Sequence, residues 1–176
     1  MENFESVCDH LTTIRPANPV VCHRPHAAAR GARWFLDNFP GDVLYAVKAN
    51  PSPLILEALY AEGIRHFDIA SLTELQLLSH FTEARVYCMN TAKHPEHIRR
   101  MYFDYGVRDF SLDCMDELYK IRLATNFADD LCLHVCITVD NSTSLRPIAK
   151  KVGTRAEEAG QLLMAARTCA RELGVS

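Results

Sequence analysis

The sequence contains no apolar run near the roughly 18 residues that a membrane-spanning helix requires. Its first ten residues, MENFESVCDH, carry acidic side chains and no apolar segment, so we do not expect a signal peptide. Basic residues form no stripe along the chain, and the formal net charge is -3. Both features argue against a nucleic-acid-binding protein.

No CxxC pair occurs, and the number of cysteines is odd. Several of these cysteines lie in apolar runs, which is typical of reduced, buried thiols in a cytoplasmic protein rather than of a disulfide framework. The seven cysteines are Cys8, Cys22, Cys88, Cys114, Cys132, Cys136 and Cys169.

The histidines in HPEH, at residues 94 and 97, do not form the HExxH zinc motif, and we predict no metal site. Pro95 is typical of the first turn of a helix, which would place His94 near the N-cap.

Short apolar segments alternate with longer segments of helical spacing. This alternation predicts parallel strands joined by crossover helices. The strands read as apolar on both sides, as expected for a sheet covered by helices. The five predicted strands cover residues 42–48, 66–70, 85–90, 109–113 and 130–140.

Both an open Rossmann sheet and a closed (β/α)₈ barrel fit this spacing, although no GxGxxG motif supports a dinucleotide fold. Gly63 and Gly106 stand where two helices should end. A last helix is predicted over residues 154–173, with Thr154 at its N-cap and Glu157 three residues later. The chain then ends where a sixth strand would begin. Because a complete barrel needs about 250 residues, the 176 residues correspond to about five βα units of an incomplete barrel.

The segment LYAVKANP places Lys48 where the first strand ends. In either α/β architecture, functional groups lie at the carboxyl ends of the strands. Apolar neighbours would partly desolvate Lys48, which favours the free amine, and a free amine can form a Schiff base with an aldehyde. The alternative is a lysine whose ammonium simply extends into solvent from a strand end.

The segments YAVKANPSPLILEAL and GIRHFDIASLTELQLL resemble the pyridoxal-phosphate (PLP) decarboxylases of ornithine, lysine and diaminopimelate. The resemblance covers roughly residues 19–175, with residues 1–18 as a lead-in. It implies an alanine-racemase-like (β/α) barrel in which Lys48 carries PLP, and decarboxylation of a basic amino acid. The ASLTE segment favours ornithine, then lysine, over diaminopimelate.

The resemblance assigns Asp68 to an aspartate near the PLP lysine, where a carboxylate would hold a protonated amine or imine. The alternative is an aspartate that caps the turn into the next helix. Glu74 matches the glutamate of the same motif, but Ser71 and Glu74 also form a capping box, and we favour this structural interpretation.

Three further positions bear on the resemblance. Lys93 and Lys151 match lysines of the family, although from the residues alone both would be solvated surface charges. Counting back four residues from Asp140, the family has an arginine near the cofactor, and this chain has Cys136. A thiol cannot supply the fixed charge of a guanidinium.

In the family, a histidine that stacks on PLP, a glycine-rich phosphate loop and a C-terminal β-domain follow the region matched here. A partial barrel would also leave two strand edges unpaired, so we expect a homodimer or pairing with a full-length homologue. The chain is thus predicted to be the N-terminal part of a cytoplasmic PLP-dependent decarboxylase with a small amino acid substrate. The alternative is a non-catalytic homologue that binds a full-length decarboxylase.

Overall fold

The computed structural model describes residues 5–138 and 152–175, which form one parallel sheet with helices packed on it. The strands are β1 (Leu44–Ala46), β2 (His66–Asp68), β3 (Arg85–Cys88), β4 (Asp109–Leu112), β5 (Cys132–Val135) and β6 (Glu172–Val175). The helices are α1 (Val7–Ile14), α2 (Pro25–Asn38), α3 (Pro53–Ala61), α4 (Leu72–Leu78), α5 (Pro95–Phe103), α6 (Met115–Ala124) and α7 (Ala156–Arg167). A 3₁₀ turn, Val47–Ala49, follows β1.

The order of the strands decides between the two architectures that spacing left open. Each strand pairs in parallel with the next one along the chain, from β1 to β6. A doubly wound sheet reverses its strand order at a switch point, whereas a barrel adds every strand on the same side. The predicted class, an incomplete parallel α/β barrel, is confirmed.

One face of the sheet packs against helices. Phe67, Phe110 and Leu133 are fully buried and pack in one cluster with helix residues such as Leu56 and Ile98. The expectation that both faces are apolar is wrong, because the alternate residues of β2 to β5, which share the other face, are mostly polar. The polar residues among them are His66, Asp68, Arg85, Tyr87, Asp109, Ser111 and His134.

The last helix ends earlier than its pattern predicts. α7 stops at Arg167 with Thr168 as C-cap, and β6 pairs with β5 in parallel. Its N-cap is Arg155 rather than Thr154, because Thr154 forms a parallel bridge with Ile137. The prediction of a helix over residues 154–173 is therefore wrong at both ends, and the sixth strand, expected to begin where the chain stops, begins earlier, at Glu172.

Two helix ends agree with the glycine pattern. Gly63 and Gly106 follow α3 and α5 with φ of 106° and 71°, a conformation that is unfavourable for residues with a Cβ.

Among residues 5–138 and 152–175, no helix combines the length and the apolar character that crossing a membrane demands.

Candidate functional site

Lys48 lies directly after the carboxyl end of β1, in the 3₁₀ turn. Val47 before it is fully buried, whereas Lys48 is exposed. The expected partial desolvation of Lys48 is therefore wrong. β1 is an edge strand of the described sheet, and the turn lies past Ala46, its last paired residue. The primary amine is accessible to a small molecule at the strand end.

Asp68 is the last residue of β2, and its register partner is Ala46 of β1. Burial raises the pKa of the Asp68 carboxyl above its ordinary value. The hydrogen bond from the Met89 N–H and the positive charge of Lys48 oppose this increase, while the carboxylate of Glu74 adds to it. The Lys48 amine and the Asp68 carboxyl therefore interact electrostatically at adjacent strand ends.

The hydrogen bond of Asp68 crosses to the neighbouring strand. Asp68 Oδ1 accepts from the Met89 N–H at 3.0 Å, and Met89 directly follows β3. The alternative of an aspartate that caps the turn into α4 is wrong, because Ser71 caps that helix. Asp68 instead joins the end of β2 to the loop after β3.

Glu74 takes part in the predicted capping box. The Glu74 N–H donates to Ser71 Oγ at 3.2 Å, and Glu74 Oε2 accepts from the Ala70 N–H at 2.7 Å. This second bond reaches one residue beyond the N-cap, Ser71. The structural interpretation of Glu74 is confirmed, and its contact with a cofactor stays a prediction.

The sequence context of Lys93 suggested a solvated surface charge, and this interpretation is wrong. Its side chain is 3% exposed, and Nζ lies 3.0 Å from Glu117 Oε1. Glu117 is also buried and pairs with Lys120 on the same helix. Lys151 and Asp140 lie outside the described residues.

Asp113, directly after β4, binds the segment that precedes α7. Asp113 Oδ2 accepts from the Gly153 N–H at 3.1 Å, and Thr138 Oγ1 donates to the Gly153 carbonyl at 2.8 Å. Gly153 has φ of 104°, and a Cβ there would lie 2.7 Å from the Thr138 nitrogen. Cys136 lies next to this contact, and its N–H donates to the Leu112 carbonyl at 2.8 Å.

His94 is the N-cap of α5, as predicted, and its Nδ1 accepts from the Glu96 N–H at 3.2 Å. In the part of the chain that the structure describes, no three His, Cys, Asp or Glu side chains are grouped as metal ligands.

A second polar network lies at the opposite, amino ends of the strands. Asp109 is 2% exposed and accepts two hydrogen bonds from Arg85, at 2.8 and 2.9 Å. Its Oδ1 also lies 3.0 Å from His134 Nε2. An open cleft of about 430 Å³ adjoins Arg85 and Asp109. Because Lys48 is at the carboxyl ends, this network and cleft lie at the other end of the sheet, where Asp109 links β3, β4 and β5.

We expect the Asp109 network to make stability depend on acid pH. Burial alone would raise the pKa of Asp109, but the hydrogen bonds from His134 and Arg85 outweigh it and hold the pKa below the ordinary value. A lowered pKa stabilises the folded state above the unfolded pKa of about 3.9, and this contribution is lost as pH falls through the folded pKa. The Asp109→Asn variant should therefore lose about 1–3 kcal/mol of unfolding free energy at pH 7, and less near pH 3.

Urea unfolding at several pH values measures this difference. Asp104→Asn is the matched control, because Asp104 is half exposed and lies 3.5 Å from Arg100 in a surface pair. It should change stability by less than about 0.5 kcal/mol. An equal loss for Asp109→Asn at pH 7 and pH 3 would contradict the assigned role of its charge.

Comparison with known proteins identifies relatives of the chain. A family model described as the pyridoxal-binding domain of pyridoxal-dependent decarboxylases matches residues 27–176. A lysine/ornithine decarboxylase from Selenomonas ruminantium is 37% identical over 127 residues, which cover 71% of this chain and 31% of that protein.

Solved structures agree with the sequence comparison. The crystal structure of lysine decarboxylase from Selenomonas ruminantium matches with a TM-score of 0.80 and 27% identity, over 99% of this chain and 46% of that chain. A second crystal structure, of a protein named SrLDC in complex with PLP and cadaverine, matches with a TM-score of 0.77 and 28% identity, over 99% of this chain and 44% of that chain. The chain thus spans about a third of the curated relative and just under half of the solved chains.

Proposed function

The chain belongs to the pyridoxal-dependent decarboxylases, whose pyridoxal-binding domain it matches, and on that premise we propose that it serves the decarboxylation of ornithine or lysine, with Lys48 bonding to PLP. The observation that carries this proposal is the exposed Lys48 amine beside the Asp68 carboxyl at the carboxyl ends of adjacent parallel strands. Functional groups of barrel enzymes gather at that edge.

These two residues fit the chemistry of the cofactor. PLP carries an aldehyde, and when bound to an amino acid it supplies an electron sink for the loss of the carboxylate. A primary amine such as that of Lys48 is the side chain that bonds to an aldehyde. The Asp68 carboxylate favours the protonated state of a nitrogen beside it. We assign Lys48 the covalent attachment and Asp68 the control of the proton on the Lys48 nitrogen.

Glu74 contributes in two ways to the proposed site. Its carboxylate anchors the start of α4 through Ala70, and its negative charge acts on Asp68. Cys136, where the family pattern has arginine, adds no guanidinium charge, so the proposed site depends more heavily on the residues of the first two strands.

The preference for a basic amino acid comes from the relatives. The curated relative bears the name lysine/ornithine decarboxylase, and one solved relative holds cadaverine together with PLP. The alternative of a non-catalytic binding partner is not favoured, since the matching family model is that of the decarboxylases. The homodimer and the cytoplasmic location stay predictions.

Trapping PLP on the protein tests the assignment of Lys48. The chain is incubated with PLP, reduced with borohydride, and mapped by mass spectrometry across its five lysines, at positions 48, 93, 120, 150 and 151. We expect one dominant adduct, at Lys48. An even distribution over the exposed lysines, or no adduct, would overturn the assignment.

Release of labelled carbon dioxide tests the reaction separately. Carboxyl-labelled ornithine and lysine are supplied to the PLP-loaded protein, with arginine as the comparison substrate. We expect release from ornithine or lysine ahead of arginine. An adduct at Lys48 without release from any of the three substrates would leave the cofactor assignment standing and contradict decarboxylation by this chain.

A further inference from the structure

The Lys93 ammonium is held inside the protein by two carbonyl acceptors and one carboxylate. Nζ donates to the carbonyl oxygens of Asn90, at 2.8 Å, and of Ser111, at 2.5 Å. Glu117 Oε1, on a side chain 5% exposed, lies 3.0 Å away as an ion-pair partner without the alignment of a hydrogen bond. A buried ammonium is costly unless it is paired and hydrogen-bonded, so these contacts fix Lys93 in one position.

Lys93 joins β3 to β4 where the hydrogen bonds between these strands end. The last register pair of the two strands is Cys88 with Phe110. Beyond Cys88 the chain leaves the sheet, and Asn90 belongs to the loop that leads to α5. Lys93 connects the Asn90 and Ser111 carbonyls, and so continues the link between the strands with a side chain in place of the backbone ladder.

The same loop holds Asp68. Met89, which donates its N–H to Asp68 Oδ1 at 3.0 Å, is the residue before Asn90. The pKa of the Cys88 thiol is affected by charged groups on both sides of this loop, Lys93 and Asp68. Burial raises its pKa to about 11, the Lys93 ammonium opposes the increase, and the Asp68 carboxylate adds to it. Lys93 and Asp68 therefore both act at the end of β3.

We propose that Lys93 is a positioning residue: through the Asn90 carbonyl it fixes the loop after β3, whose Met89 N–H holds Asp68 beside Lys48. This inference rests on the proposed function of Lys48 and adds a residue to it. Lys93 touches neither Lys48 nor Asp68 directly in the described contacts, and it acts on Asp68 through the backbone.

Two variants separate the tethering of the loop from overall stability. In Lys93→Met/Glu117→Met, both buried charges are replaced by apolar side chains of similar length, a change that is often neutral for stability. The tether to Asn90 and Ser111 is lost. In Glu117→Gln the tether remains, but the buried ammonium loses its counter-charge, so the protein should be less stable.

Two measurements made without PLP report on Asp68 and Met89. Amide hydrogen exchange gives the protection of the Met89 N–H, and NMR titration gives the pKa of the Asp68 carboxyl. The other charges that act on Asp68, those of Lys48 and Glu74, are unchanged in both variants. In the double variant, we expect exchange at Met89 to be about tenfold faster, as for the loss of one hydrogen bond. The pKa of Asp68 should rise further.

A third measurement connects Lys93 to the proposed site. The pH dependence of borohydride-trapped PLP at Lys48 should shift in the double variant and stay near that of the unmodified protein in Glu117→Gln. A merely structural role predicts the reverse ranking, with the less stable Glu117→Gln affected most.

The outcomes are distinguishable. Unchanged Met89 exchange and an unchanged Asp68 titration in the double variant would overturn the positioning role, whatever happens with PLP. If the unmodified protein takes no PLP at Lys48, the proposed function fails, while exchange and titration still decide whether Lys93 positions Asp68.

Discussion

Replacing Lys48 by arginine should reduce the PLP trapped at position 48 to less than about 1% of that on the unmodified protein, because a guanidinium has no free amine to bond to the aldehyde. Lys48→Arg keeps a positive charge near Asp68, and Lys48 is exposed, so we expect the fold and the surroundings of Asp68 to persist. Mass spectrometry after borohydride reduction measures the loss.

Lys120→Arg is the matched control for this variant. Lys120 lies on α6 and pairs with Glu117, an interaction that arginine preserves. In the Lys120→Arg variant, the amount of PLP trapped at Lys48 should equal that in the unmodified protein. Total PLP incorporation that is unchanged in Lys48→Arg would show that other lysines account for capture, and the proposed site would be wrong.

Phe110→Ala should lower the unfolding free energy by about 3–5 kcal/mol, a large part of the roughly 5–15 kcal/mol typical of a folded domain. Phe110 lies in β4, is fully buried and belongs to the cluster between the sheet and the helices. Its removal loses the buried apolar area of the ring and leaves a cavity that β4, paired on both sides, cannot collapse to fill.

Urea unfolding followed by circular dichroism measures this loss. Phe103→Ala is the control, because Phe103 ends α5 and is 53% exposed. It should shift stability by less than about 0.5 kcal/mol. Equal losses for the two phenylalanines would show that the cluster between the sheet and the helices does not hold the fold together.

The five βα units could be predicted because their signals are local. Apolar strand segments, helical spacing and the glycines after α3 and α5 are properties of neighbouring residues. The first four strands lie within two residues of their predicted bounds, whereas β5 ends at Val135, and the last two residues of its predicted range lie outside the described chain. The start of β6 could not be predicted, because Glu172 and Leu173 are good helix formers and become a strand only by pairing with β5. The polar face of the sheet was missed for a similar reason. Alternation shows which residues share a face, but not which of the two faces packs against the helices.

The candidate site likewise has residues that local motifs locate and contacts that depend on distant parts of the chain. The motifs locate Lys48 and Asp68 at strand ends, and Ser71 with Glu74 as a cap, since each depends on a short stretch of chain. The partner of Asp68 is 21 residues away, at Met89, and no local pattern indicates it.

The burial of Lys93 also depends on distant parts of the chain. Its contacts with Ser111 and Glu117 form only when β4 and α6 are in place. An aspartate directly after a buried strand is the signal that could have pointed to Asp113, whereas Lys93 lies five residues after β3 and carries no such local signal.

The order of the strands has a consequence for synthesis of the chain on the ribosome. The first five strands begin 22, 19, 24 and 23 residues apart, and each pairs with its predecessor. At the usual 5–20 residues per second, one unit takes about 1–5 s to emerge, which is long compared with the microseconds in which helices and hairpins form. Every new strand thus meets an edge that has already left the exit tunnel, and the sheet can grow vectorially from its amino-terminal side.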